Sequence, residues 1–335
     1  MVPDDLSLAD LPTGYVYHPE SVAAVRSAYG ASPDDFAGAT QQRMNDEGLH
    51  YCNLTQYAAD YLRRGGVVTS RRELIDCGSD GVVLAPLAQQ TGICDGCSFG
   101  EAAFIAWCAA WVMTGIGRRP VETAFLWPYL AGRVLSITGR GDTGACPPYS
   151  AQLYHQVGVL PVNCGGKFNL ADLPPHGPNS QEMLCIQMRD NPSLRPEWAD
   201  AAAGLKCRIY PPQDQWSVAD CITTGRPVTC GCQWQMNKTS PPNGVSTLYK
   251  FPNNGGHETF LSGWFTMNGR LNFIKTESWW GANYYPGSNW PGHRVQVQTD
   301  EGPKLLYPGQ GAIDAAVWMA KKPECWAIDA PGSVP

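Results

Sequence analysis

Cys94 and Cys97 stand at CxxC spacing in QQTGICDGCSFGEAAF, residues 89–104, just ahead of a long apolar run. Cysteines so spaced can bind a metal, exchange a disulfide, or supply one nucleophile mounted on a helix. A structural zinc site needs four ligands, commonly two close pairs. Cys230 and Cys232 in TCGCQ offer a second pair, but residues i and i+2 of a strand lack the tight turn of a zinc knuckle. A redox CxxC gains a low thiol pKa at a helix start, and its usual setting is a βαβ alternation that does not follow here. A thiolate nucleophile asks instead for a base within hydrogen-bond reach and a third group to hold that base.

Six histidines are available as the base. His18 and His50 fall in the N-terminal region, His155 in a helical pattern, and His176 and His293 in loop-like stretches. His257 follows Gly255-Gly256 and opens the strand-like run GGHETFLSGWF; Glu277 follows in KTESWWG. A carboxylate beside an imidazole favours the charged ring and fixes its orientation. A CxxC thiol, His257 and a polar group after it would be a workable nucleophile, base and orienting group. A Glu277 facing solvent would instead mark a site whose chemistry has been lost.

The elements that must position these residues change type along the chain. PESVAAVRSAYG and NLTQYAADYLRRGG carry apolar residues at helical spacing and stop at glycine, as helix C-termini do. GVVLAPLAQQTG reads as a short extended piece and a polar loop. Residues 97–114 read as a helix apolar on most sides, which places it in a core. A further helix is expected at 148–157, stopping at Gly158. In the second half RPVTCGCQW and FIKTESWW are β-branched and aromatic between turn signals, a strand signature. Helices first and strands later point to an α+β fold. The segment from 301 is rich in proline and glycine, with one short helix-like run, GAIDAAVWMA.

Composition narrows the function. At 335 residues the chain is long enough for a packed core. Hydrophobic residues make up 43% and charged residues only 16%, which argues against disorder. The net charge of −6, with no basic block, argues against nucleic-acid binding. The N-terminus lacks the basic and apolar regions of a secretory signal. The run AAFIAWCAAWVMTGIG is too short to span a bilayer. No membrane partner is expected, and the location expected is cytoplasmic or within a particle. Thirteen cysteines leave one unpaired by parity, and most are expected as buried thiols packing like small hydrophobes. Asn53-Leu54-Thr55, Asn237-Lys238-Thr239 and Arg140-Gly141-Asp142 read as chance matches to a glycosylation sequon and an integrin tripeptide.

Five stretches in this order resemble the papain-like cysteine peptidases over roughly residues 76–300. GICDGCSFGEAAF is similar to the block around the family's nucleophile, and GDTGACPPYSAQLYHQVGVLP to the loop and helix that follow. VADCITTGRPVTCGC resembles the helix and strand ahead of the histidine. GGHETFLSGWF, with Gly263 six residues after His257, resembles the histidine strand, and NFIKTESWWG the strand after it. The resemblance implies Cys97 as nucleophile, His257 as base and Cys94 as half of a disulfide. It sets Glu277 where the family has the asparagine that orients the histidine. It sets Thr91 at the oxyanion-hole glutamine, with Gln90 one residue away and able to serve as donor, since geometry defines that role. Ser98 replaces a tryptophan. Ala145 and Cys146 fall where the family aligns substrate backbone, which makes Cys146 the candidate disulfide partner of Cys94. Trp279 would shield the His257–Glu277 contact beside the substrate.

The expectation is an α+β, papain-like fold with a helical half and a β-barrel-like half. Residues 1–75 would be an arm or prosegment-like region, 76–300 the catalytic domain and 301–335 a tail. The function expected is a cysteine peptidase or related acyl-transfer enzyme acting on peptide or protein, without metal or cofactor. The alternative is a catalytically decayed structural or interaction protein among the protein subunits of a larger assembly, such as a virus or phage particle.

Overall fold

The computed structural model describes Ala23 and residues 35–66, 74–76, 82–84, 94–134, 145–164, 196–237, 243–251, 255–277 and 294–334, with only the backbone of 74–76, 82–84 and 131–134. The helical half comprises α1 (Ala39–Glu47), β1 (Tyr51–Asn53), α2 (Thr55–Arg63), the ribbon β2 (Leu74–Asp76) and β3 (Val82–Leu84), then α3 (Cys94–Thr114), α4 (Leu126–Val134), α5 (Pro147–Gln156) and α6 (Pro196–Ala202). The strand half follows with β4 (Ile209–Tyr210), α7 (Gln215–Thr223), β5 (Val228–Cys232), β6 (Trp234–Met236), β7 (Val245–Ser246), β8 (Leu248–Lys250), β9 (His257–Met267) and β10 (Arg270–Thr276). It ends with β11 (Gln296–Thr299), β12 (Gly302–Leu305), β13 (Gln310–Asp314), α8 (Ala315–Met319) and β14 (Glu324–Ile328).

The α+β order is as the sequence suggests; the closure of the sheet is not. The strands run β4-β14-β5-β9-β10-β13-β7, with β1 paired to β9 off that path. Among the described residues this is an open sheet and not a closed barrel. β9 is its longest strand, with β5 and then β1 along one edge and β10 along the other. Gly263 allows β1 to come close. A Cβ there would lie 2.4 Å from the Cys52 carbonyl oxygen and 2.9 Å from Ile274, so only glycine fits.

α3 is the core helix. It begins at Cys94, so both cysteines of the CxxC lie in its first turn, earlier than the sequence pattern implied. Every residue from Cys94 to Ala109 is buried. Its 21 residues are long and apolar enough to cross a membrane, but 78% of its apolar window is buried inside the fold. The apolar run therefore serves the core, and the expectation that it falls short of membrane length is corrected. Gly96 and Gly100 let α4 approach, since Cβ atoms there would meet the Phe125 carbonyl oxygen at 2.3 Å and Phe125 Cα at 3.1 Å. α5 ends as expected before Gly158, whose φ of 123° suits glycine.

The segments read as an arm and a tail both enter the sheet. β1 pairs with Gly263 to Phe265 of β9. β13 pairs with β10, and β14 lies between β4 and β5. Boundaries at 76 and 300 thus cut through strand pairings, because the period-two pattern that marks a strand does not reveal its partner. Asn53 is wholly buried and donates to Gln310 Oε1 at 2.8 Å, so its sequon match faces the interior. The Arg140 tripeptide lies outside the described residues.

α1 has no side-chain cap of its own. Asp220 of α7 supplies one, its two oxygens accepting the Gly38 and Thr40 amides at 2.7 Å each. Replacing Asp220 with alanine strands two amides and should destabilise the chain by about 1–2 kcal/mol. Urea unfolding of D220A checks this, with earlier proteolysis near α1 as the local sign.

Candidate active site

His257 opens β9, and Glu277 follows directly on the last residue of β10. One irregularity brings them together. β10 pairs Ile274 with Gly263 but Lys275 with Leu261, so Ser262 is an extra residue in β9. A one-residue shift moves side chains to the other face of a sheet. The bulge therefore sets Lys275 and Glu277 on the His257 face. Without it they would share a face with Glu258.

On that face His257 Nε2 lies 2.5 Å from Glu277 Oε1. Glu277 Oε2 accepts from Lys275 Nζ at 3.1 Å, and the same ammonium donates to Gln235 Oε1 of β6. His257, Lys275, Glu277 and Gln235 are all wholly buried. The Trp318 ring of α8 lies 5.7 Å from Lys275 Nζ, and the Phe251 ring meets His257 edge-on at 6.4 Å. Gln235 and Tyr249 are cross-strand partners in the β6–β8 ribbon. That ribbon covers the site.

Burial alone would raise the Glu277 pKa. The charges of His257 and Lys275, with their hydrogen bonds, outweigh it and hold the carboxyl at about 2, below its ordinary 4.5. Burial pushes the His257 imidazole below its ordinary 6.5, and the Glu277 carboxylate pulls the other way. The two directions agree on a neutral ring at neutral pH whose Nε2–H donates a hydrogen bond to an anionic Glu277. This leaves Nδ1 as the nitrogen with a lone pair to accept a proton.

Cys97 is wholly buried in the first turn of α3. One turn earlier, Cys94 Sγ accepts the Glu258 amide at 3.3 Å. That bond sets the start of α3 against the residue next to His257. Cys94 and Cys146 are thiols and not the expected disulfide. Ala145 and Cys146 are buried at the entry to α5, with Cys146 in the N-cap position. Gln90, Thr91 and Trp279 lie outside the described residues. Of the other histidines described, His50 bonds Thr266 Oγ1 at 2.9 Å and His155 the Cys207 carbonyl at 3.1 Å.

The opposite face of the sheet carries different chemistry. Asp95, Glu258 and Glu324 are buried there close to one another. Burial raises Asp95 to about 8, eased by the Ser150 hydroxyl at 2.6 Å and raised further by Glu324. Burial and then Asp95 and Glu324 push Glu258 well above its ordinary range. The Thr229 hydroxyl eases Glu258 only in part; it also bonds the Trp326 carbonyl at 3.3 Å. Among the described residues no group of three His, Cys, Asp or Glu is placed to hold a metal ion. Back on the His257 face, Cys230 lies against Cys325, sulfur to sulfur 3.3 Å.

The sequence pattern missed Lys275 and Gln235. Lys275 left a signal, since it stands two residues before Glu277 in a strand and so shares its face. Gln235 left none, because its approach depends on the ribbon packing over the sheet.

No family model matches the chain, and no curated protein matches it. Among solved structures it is similar to xylellain, a cysteine protease from Xylella fastidiosa, at 16% identity and a TM-score of 0.40, over 98% of this chain and 94% of that one. It is also similar to procathepsin B S9 from Trypanosoma congolense, at 10% identity and 0.39, over 92% and 83%. At this distance neither likeness assigns an activity, and the chemistry rests on the chain's own side chains.

Glu277 has a depressed pKa, so its contribution to stability is complete above 4.5 and is lost as pH falls toward about 2. Glu277→Gln removes one partner of a buried ion pair and should cost about 3–5 kcal/mol at neutral pH. The gap between variant and wild type should narrow as pH drops through that window, as read by denaturant unfolding at several pH values.

Proposed function

We propose that this chain is a papain-like cysteine hydrolase that transfers acyl groups from peptide or protein substrates through Cys97, His257 and Glu277. The observation that carries the reading is the buried contact between His257 Nε2 and Glu277 Oε1. A decayed site predicts a Glu277 facing solvent; here it is wholly buried and ion-paired. The pairing orients the ring as a nucleophile's base must be oriented.

In the proposed cycle the Cys97 thiol gives its proton to His257 Nδ1. The thiolate attacks the scissile carbonyl carbon, forming an S–C bond and an oxyanion. The Cys97 backbone amide and Gln90 would donate to that oxyanion. As the tetrahedral adduct collapses, the C–N bond breaks and His257 protonates the departing amine. Water then gives a proton to His257 and attacks the thioester, releasing the acid and restoring the thiol. The first turn of α3 aids the thiolate with its helix dipole. Ala145 and Cys146 would align the substrate backbone, and Trp279 would screen the His257–Glu277 bond. Cys97 and His257 are wholly buried, so a substrate reaches them only when a covering segment moves.

The test is site-resolved alkylation of the native protein by iodoacetamide across pH. Burial pushes the Cys52 thiol up to about 12 and Cys221 well above the ordinary range, so both serve as internal references. Cys97 should label first, with a midpoint well below the roughly 8.5 of a free thiol, and Cys97→Ala should abolish peptide hydrolysis. Labelling of Cys97 no faster than Cys52 or Cys221 would sink the reading.

A further inference from the structure

We infer that Lys275 is a positioning residue of the site, an ammonium that keeps Glu277 an anion turned toward His257 and cancels that anion's charge. The inference rests on the reading above and assigns a role to a residue that the reading does not use. Lys275 Nζ lies 3.1 Å from Glu277 Oε2 while Oε1 faces His257. Each carboxylate oxygen thus has its own partner, and the group cannot rotate without breaking both bonds.

The geometry gives Lys275 no rival task. Its ammonium is wholly buried, held by Gln235 Oε1 on one side and set over the Trp318 ring on the other. A lysine is seldom buried unless paired, and here the pair is Glu277. Among the described residues, the charged or titratable groups facing Glu277 are His257 on β9, Lys275 on β10 and Tyr249 on β8, with Cys232 of β5 beside Lys275. Burial and then the Glu277 charge push the Tyr249 phenol up, and burial holds Cys232 at about 11. Both stay neutral at physiological pH, which leaves Lys275 as the cation that answers Glu277 when the ring is neutral.

The chemical consequence concerns the base. A bare carboxylate beside the imidazole would stabilise the imidazolium strongly and weaken the ring's ability to give its proton to a leaving group. With the ammonium attached, carboxylate and lysine together present a nearly neutral hydrogen-bond acceptor. Lys275 thus lets a glutamate orient the ring without overcharging it.

The experiment is a pH titration of the His257 Nε2–H resonance in full-length protein labelled with ¹⁵N-histidine, wild type against Lys275→Met. The resonance needs an ionised Glu277 as acceptor. In K275M it should vanish on acidification about one to three pH units above the wild-type point, the size of effect an adjacent opposite charge has on a carboxyl. An unchanged point overturns the inference, because a purely packing role would leave it in place. If K275M does not fold, the K275M/E277Q double variant decides. Folding regained in the double variant supports the pairing, and a double variant as unfolded as K275M overturns it. Neither readout involves Cys97. An ordinary Cys97 thiol with a shifted His257 titration would fell the hydrolase reading alone, and an activated Cys97 with an unshifted titration would fell the lysine's role alone.

Discussion

Three ionisable side chains can share a dry pocket only if their charges cancel and their hydrogen bonds are met, since each unpaired buried ion costs several kcal/mol. His257, Glu277 and Lys275 meet that condition. The glutamate lies between ring and ammonium, one oxygen to each. The surrounding packing follows from this. Gln235 accepts a second hydrogen bond from the lysine, Trp318 offers its ring face, and Phe251 meets the imidazole edge-on. The β6–β8 ribbon contributes Gln235 and stands Tyr249 beside the glutamate.

The same sheet shows what happens when carboxyl groups are buried against one another. Asp95 and Glu258 are as deeply buried as Glu277, yet burial and repulsion from nearby carboxyl groups raise them where Glu277 falls. The surroundings favour the protonated form of Glu258 and the ionised form of Glu277. Residue type does not decide this; the face does. The face in turn is set by the extra residue at Ser262, which puts Lys275 and Glu277 opposite Leu261 and its neighbours and away from Glu258. One bulge thus separates a charged, oriented pair from a cluster of buried carboxyl groups.

These causes explain what the sequence made legible. The strands that carry His257 and lead into Glu277 were readable because β-branched and aromatic runs between turn signals are local patterns. The burial of α3 was readable from its uniform apolarity, but its start was not, since CDGC has no capping signal of its own. The open sheet, and the entry of residues 51–53 and 310–328 into it, depend on pairings between residues more than 200 apart in some cases, such as Cys52 with Trp264. No local pattern encodes a partner. The Cys94–Cys146 bond came from resemblance alone, and in the structure the Cys94 sulfur is engaged with the Glu258 amide.

The C-terminal region is part of the site's construction and not an appendage to it. The Glu277 amide donates to the Gly309 carbonyl at 3.0 Å, which extends the β10–β13 pairing by one residue and fixes the glutamate's backbone. Gln310, next along, binds Asn53, Thr55 and Ser262 at 2.8 Å each. It therefore ties the bulge residue to the N-terminal strand. Trp318, beneath the lysine, also comes from this region. A side chain within hydrogen-bond reach of its partner tolerates little displacement before the bond weakens, so the orientation of His257 depends on a segment whose proline and glycine content reads as a loose tail. Those residues are spent on the turns at Gly302, Gly309 and Gly332, all with positive φ. The turns let short strands return to the sheet and hold the pair in place.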